Sequence, residues 1–176
     1  MAYFDHAIGG VSLDLAHLEP RGLTLPVRNL GRDLTVDVRF TNHCFTVAFE
    51  EGVHDRAALI WDHKRPRAYD RERHELSRGL PAMVDALPGS AVHLTRSDRN
   101  YVYFAAVTTP AGQHYPMFFG LRRSPAGAPR DLALVVESAY PVLDRQAVLQ
   151  GATKIRFEVL CAKVFRGEQV RPQARR

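Results

Sequence analysis

A chain of 176 residues with 45% hydrophobic and 24% charged residues has the balance of one ordinary globular domain, which excludes a disordered or fibrous protein. At this length about 70% of the unfolded chain's surface is buried on folding, so a core forms without disulfides or a structural metal. The net charge of +5 and the pI near 9.6 favour polyanionic partners, nucleic acid or an acidic membrane surface. Lysine occurs only at Lys64, Lys154 and Lys163, and the same arginine bias would also follow from a GC-rich genome.

The N-terminal residues 1–10 lack the charged-then-apolar pattern of a signal segment. No apolar run is long enough to span a membrane. A cytoplasmic location with no membrane partner is expected. Residues 1–50 read as an N-terminal β segment. Val11, Leu13 and Leu15 alternate with Ser12 and Asp14; Leu34, Val36, Val38 and Phe40 share one face of a second strand; residues 44–49 give a third. Between them, residues 19–32, with Pro20, Gly22, Pro26 and Gly31, read as a turn-rich connector. Residues 50–67 are irregular and polar around Trp61, and the basic cluster His63, Lys64, Arg65 and Arg67 follows it.

The principal helix is expected in the region 55–88. Asp70 can cap it, and Leu76, Leu80, Met83, Val84 and Leu87 recur at helical spacing. Pro81 inside that run demands a kink or two short helices. A β-meander then fills 91–165. Its strands are expected at 92–94, 101–107, 115–122 and 131–138, with a long final strand over 154–165. A hairpin turn falls at 109–112, a loop at 124–130 and a short helix or turn at 144–150. Residues 166–176 form a basic tail. The layout predicts one α+β domain over 1–165, a mostly antiparallel sheet with one principal helix packed on one face, plus the N-terminal β segment.

Alternation splits each strand into two faces. In the final strand Ile155, Phe157, Val159, Cys161 and Phe165 form the core set, and Lys154, Arg156 and Glu158 the opposite one. In the strand before it, Leu132, Leu134, Val136 and Ser138 share a face, and Glu137 lies opposite beside Ala133 and Val135. A carboxylate among small apolar neighbours needs a partner such as Arg122 or Arg156, and an ordinary cross-strand ion pair would supply it. Cys44 and Cys161 lie far apart in apolar runs and read as buried thiols.

No Gly-rich phosphate loop, paired-cysteine zinc spacing or nucleophile elbow is present, so neither cofactor nor metal is predicted. A basic, histidine-bearing face remains. His74, His93 and His114 accompany Arg122, Arg123, Lys154 and Arg156. RNA cleavage without a metal needs a base for the 2′-hydroxyl, an acid for the leaving oxygen and cations on the phosphate. Histidine suits the first two roles and arginine the third. Ser138 and Tyr140 would add hydrogen bonds, and Tyr101, Tyr103 or Tyr140 would stack a base. Each histidine reads as well as a structural or surface group. His43 and Cys44, with His54 and His63, are zinc-ligand types at a spacing that matches no common zinc pattern.

The strings Phe40-Thr-Asn-His-Cys-Phe-Thr46, Arg73-His-Glu-Leu-Ser77 with Leu80-Pro81, Asn100-Tyr-Val-Tyr-Phe104, Tyr115-Pro-Met-Phe-Phe119, Val136-Glu-Ser-Ala-Tyr-Pro141 and Lys154-Ile-Arg-Phe157 resemble the bacterial stationary phase growth adaptation protein family, over about residues 40–170. The helix-then-meander layout is also similar to the superfold shared by barnase, EndoU, colicin nuclease domains and RelE toxins. Together the two resemblances imply a metal-independent, toxin-like ribonuclease acting in stress or stationary phase. Arg122, Ser138, Tyr140 and Arg156 would then line the substrate face, with His74 or His93 as acid and base, RNA as partner, and an inhibitor or regulatory protein as a second partner. No Glu–Arg–His set of the barnase kind matches residue by residue. The alternative is a non-enzymatic module that binds nucleic acid or protein through the same basic face.

Overall fold

The computed structural model describes residues 4–95 and 101–170. A two-residue hairpin, β1 (Ala7–Ile8) and β2 (Val11–Ser12), opens the chain. β3 (Arg21–Val27) and β4 (Arg32–Phe40) follow as an antiparallel pair. The strand β3 corrects the expected connector over 19–32. Leu23, Leu25 and Val27 alternate inward, and Pro26 is tolerated because β3 is an edge strand. A 3-10 turn over Asn42–Cys44 leads into β5 (Thr46–Ala48). The segment expected to be irregular holds a hairpin, β6 (Leu59–Asp62) and β7 (Arg65–Tyr69), which joins β5 in a three-stranded sheet of order β5-β7-β6.

Two short helices come next, α1 (Arg71–Ser77) and α2 (Leu80–Asp85). The Asp70 carboxylate accepts from the Arg73 N–H at 2.7 Å, which satisfies one donor of the first turn. Pro81 sits in the first turn of α2, where a missing N–H costs nothing. The proline therefore divides the helical run. β8 (Ala91–Leu94), β9 (Tyr101–Thr108), β10 (His114–Arg123) and β11 (Leu132–Ala139) form the meander, and α3 (Arg145–Leu149) connects to β12 (Thr153–Arg156) and α4 (Phe157–Arg166).

The main sheet has seven strands in the order β12-β8-β9-β10-β11-β4-β3. Every pairing in it is antiparallel except β11 with β4. The fold is α+β with a mostly antiparallel sheet, and β3 and β4 of the N-terminal segment belong to that sheet.

The expected long final strand is corrected most clearly. Only residues 153–156 are extended, and residues 157–166 are helical. Phe157, Leu160, Cys161, Val164 and Phe165 follow helical spacing and meet the core, whereas Val159 turns out to solvent. Glu158 in the first turn and Lys163 and Arg166 in the last oppose the helix dipole, and Gly167 at φ 75° closes the C-terminus. This helix, rather than one from 55–88, packs across β3, β10 and β12. Its Phe157 ring meets Phe119 edge-on at 6.2 Å. Arg32 and Arg123 lie over its Phe165 ring, 5.2 and 5.4 Å from the centroid. The core therefore lies on one sheet face, lined by Leu34, Val36, Val38, Leu132, Leu134 and Met117 among others. The opposite, outer face carries the candidate site.

Candidate anion-binding site

Successive register partners define two rows across the outer face. The first runs Arg122 (β10), Ala133 (β11), Asp37 (β4), Gly22 (β3). The second runs Lys154 (β12), His93 (β8), Val102 (β9), Phe118 (β10), Ser138 (β11). Phe118 and Arg122 are four residues apart on β10, so the rows are separated by ~13 Å along the strands.

The first row forms the floor of a trough with a cavity volume of about 250 Å³. Its floor is made by small residues, Ala133 and Val135 among them, and the loop Ser124–Arg130 builds its far wall. Arg39, Arg122 and Arg130 converge on it. The Arg39 Nε donates to the Asp37 Oδ2 at 2.9 Å, an i,i+2 pair on one strand face. Arg130 lies flat across Gly22, where a Cβ would come within 2.4 Å of its Nη1. Among the described residues neither Arg122 nor Arg130 makes an ion pair. Outside the lining residues, the Glu137 Oε1 lies 3.1 Å from where a Cβ on Gly120 would sit. The trough lining offers three planar forks against the Asp37 carboxylate, which suits a phosphate or carboxylate ligand.

The second row gathers positive charge at the opposite edge. Lys154 and Arg156 are exposed on β12, and His93 is half-buried beside them. Burial holds the His93 imidazole below its ordinary pKa, and Arg145 and Lys154 push it further down. Its Nδ1 is buried without a partner among the described residues. At the second row and beyond it, the segment after β11 folds over the face. The Tyr140 ring stacks on Phe118 at 5.2 Å and carries the Arg73 guanidinium at 5.1 Å, and Arg145 lies 4.9 Å from the centre of the Phe104 ring.

The residues expected to act together are thus distributed. His93 and Arg156 share the β8–β12 edge. Ser138 lies three strands from His93, ~14 Å away, turned outward by a register shift between Phe118 and Phe119 that places an extra residue in β11. This corrects its expected place beside Leu132, Leu134 and Val136. Tyr140 is held between neighbours, and Tyr101 and Tyr103 are buried in the core, so none presents an open ring face for stacking. Arg122 belongs to the trough. Of the two expected partners for Glu137, Arg122 is on the adjacent strand, whereas Arg156 is four strands away, ~19 Å.

His74 is elsewhere again, 5% exposed on α1. Its Nε2–H donates to the Asp14 carbonyl at 2.9 Å, since a carbonyl can only accept, and its Nδ1 then accepts from the Tyr69 hydroxyl at 3.0 Å. Both nitrogens are engaged. The helix reads His74-Glu75-Leu76-Ser77-Arg78, with an arginine where a zinc-binding HExxH helix carries its second histidine, so α1 offers no ligand pair. Ser77 looks toward a nucleophile role through the His17 Nε2 at 2.7 Å, but it is fully buried and donates to the His74 carbonyl. His17 must then donate from Nε2, leaving Nδ1 without a partner among the described residues. That agrees with a pKa lowered by burial, then by His74 and Arg78.

Cys44 is fully buried and its thiol is pushed up to about 12 by burial. His43 Nε2 instead meets Asp62 at 3.0 Å, and the His54 Nδ1 accepts from the Glu50 N–H. Among the described residues no group of three metal-ligating side chains forms. No helix there is long and apolar enough to cross a membrane. The basic tail beyond residue 170 lies outside the described residues.

Sequence reasoning reached Arg122 but missed Arg39 and Arg130. Arg39 carried a signal, since it alternates with Val38 and Phe40 on a strand whose other face is apolar. Arg130 carried none: it reaches the trough only because β11 pairs with β4 and brings the 124–130 loop over β3.

No curated protein and no solved structure matches the chain, so the likeness to the barnase-type superfold gains no support. The family resemblance fares better, since the YjaZ family is a bacterial family linked to stationary-phase adaptation. Its family model matches residues 5–165, and the chain belongs to the YjaZ family.

Proposed function

We propose that the protein is a nucleic-acid-binding module, with RNA as its first ligand, that serves stationary-phase adaptation without cutting what it binds. The trough is the observation that carries this reading. Arg39, Arg122 and Arg130 converge over a floor of small side chains, where a backbone phosphate can approach the sheet closely. The surplus of positive charge across the chain supplies the long-range attraction.

The ribonuclease reading stands second. One observation favours it, His93 set among Lys154, Arg145 and Arg156. It needs an acid and a base that both reach one phosphate, each within about 3 Å of its proton. His74 has both nitrogens engaged, and no second histidine shares the His93 row. Binding asks for neither.

The test is fluorescence anisotropy of a labelled single-stranded RNA against Arg122→Ala/Arg130→Ala. The variant should bind at least tenfold more weakly, with the slope of log affinity against log salt reduced by roughly one to two. Equal affinity and equal slope would remove the trough from the reading.

A further inference from the structure

We propose that the β6–β7 hairpin is a docking site for single-stranded nucleic acid, with Trp61 as a stacking platform for one base and Lys64 and Arg65 as its phosphate contacts. The inference rests on the reading of the protein as a nucleic-acid binder, and it adds a second contact site and a preference for unpaired strands. Trp61 is the chain's one tryptophan and is 59% exposed. Its register partner is Pro66, also exposed, so the indole stands on the solvent side of the hairpin while Ile60 turns inward.

The turn joining the strands places His63, at φ 53°, next to Lys64 and Arg65. All three are exposed. The acid of the hairpin tip, Asp62, is engaged by the His43 ring at 3.0 Å. The tip is therefore basic, with Lys64 in the turn three residues from the open aromatic ring and Arg65, the register partner of Asp62, on the hairpin's other face. An aromatic face beside cations is what a sequence-tolerant single-strand binder uses: the ring stacks a base and the cations follow the backbone. A duplex keeps its bases stacked inside, so the ring has no partner there. A lipid surface is the poorer fit, because interfacial binding needs a broad apolar face and this hairpin exposes one large ring and a proline.

Because Trp61 is unique, its emission reports the contact directly. Wild-type protein is titrated with an oligouridylate while tryptophan emission is recorded, and the anisotropy of the same oligouridylate carrying a label is followed in parallel. Saturable quenching is expected, absent with a duplex RNA of equal length. Trp61→Ala should weaken binding about tenfold, the size expected of one stacked base, and Lys64→Ala/Arg65→Ala should weaken the quenching titration. Circular dichroism melts check that each variant folds. Anisotropic binding with unchanged Trp61 emission and full affinity in Trp61→Ala would overturn this site and leave the trough reading standing. Absence of any RNA binding would overturn both. A blue shift with phosphatidylglycerol vesicles, without quenching by RNA, would overturn the nucleic-acid assignment in favour of a membrane surface.

Discussion

His74 acts as a pin between three pieces of chain. It takes a hydrogen bond from Tyr69 ahead of its own helix and gives one to Asp14 in the N-terminal segment. Replacing it by Ala leaves a part-buried carbonyl and hydroxyl without their partner, which should cost about 1–3 kcal/mol of stability. A thermal melt reads this, and RNA affinity measured while the variant is folded should stay unchanged. Lost affinity in a folded His74→Ala protein would return His74 to the functional site. His17 and His93 predict the pH response. Both imidazoles are lowered from 6.5 in the folded chain, so the folded state prefers them neutral. Their contribution is complete above about pH 6.5 and is lost as pH falls through that value toward the depressed ones. Two carboxylates add a second step. Asp14 is lowered by the Ala16 N–H, and Asp131, despite burial that works to raise it, by Thr35 and Arg32. Their stabilisation is present above the ordinary 3.8 and disappears as pH drops below it. Tm should therefore fall from pH 7 to 5 and again below pH 4. A flat Tm between 7 and 5 would contradict the histidine assignment.

The elements differ in how openly the sequence announces them. β4 is legible because apolar and polar residues alternate, and β9, β10 and β11 because apolar runs rich in aromatic or β-branched residues are bracketed by turns. β3 is obscured by Gly22 and Pro26, which are tolerated because this strand lies at the sheet edge. α4 is obscured differently: Ile155, Phe157, Val159 and Cys161 alternate as a strand would, while the i, i+3, i+4 stripe of Phe157, Leu160 and Cys161 overlaps them. Burial against β3 and β10 decides for the helix, a tertiary outcome that a local pattern does not contain. Leu160, fully buried there, should cost about 2–5 kcal/mol on replacement by Ala, measured by urea unfolding; a cost below 1 kcal/mol would contradict the central role of α4. Gly22 gives a sharper test of the trough. A Cβ there displaces only the guanidinium end of Arg130, a flexible group. Gly22→Ala should keep its Tm while losing severalfold in RNA affinity, and unchanged affinity in the folded variant would show that the Arg130 position is immaterial.

On the scale of the whole molecule, the outer sheet face is where charge collects, and the chain reaches it from distant parts of the sequence. Arg39, Arg122 and Arg130 meet because β4 pairs with β11 in parallel across nearly a hundred residues. No local motif marks such a meeting, which is why Arg122 was legible as a candidate phosphate contact, Arg39 only through its alternation with Val38 and Phe40, and Arg130 not at all. The same geometry separates His93, Ser138 and Arg122, which the sequence allows to be neighbours. The proposed binding without turnover rests on that separation. The most direct test is one incubation of the purified protein with a labelled single-stranded RNA in EDTA at pH 7, followed by anisotropy and then by denaturing gel. The account predicts saturable, salt-sensitive binding and RNA of full length. Cleavage that disappears in His93→Ala would contradict it and make the protein a metal-independent ribonuclease.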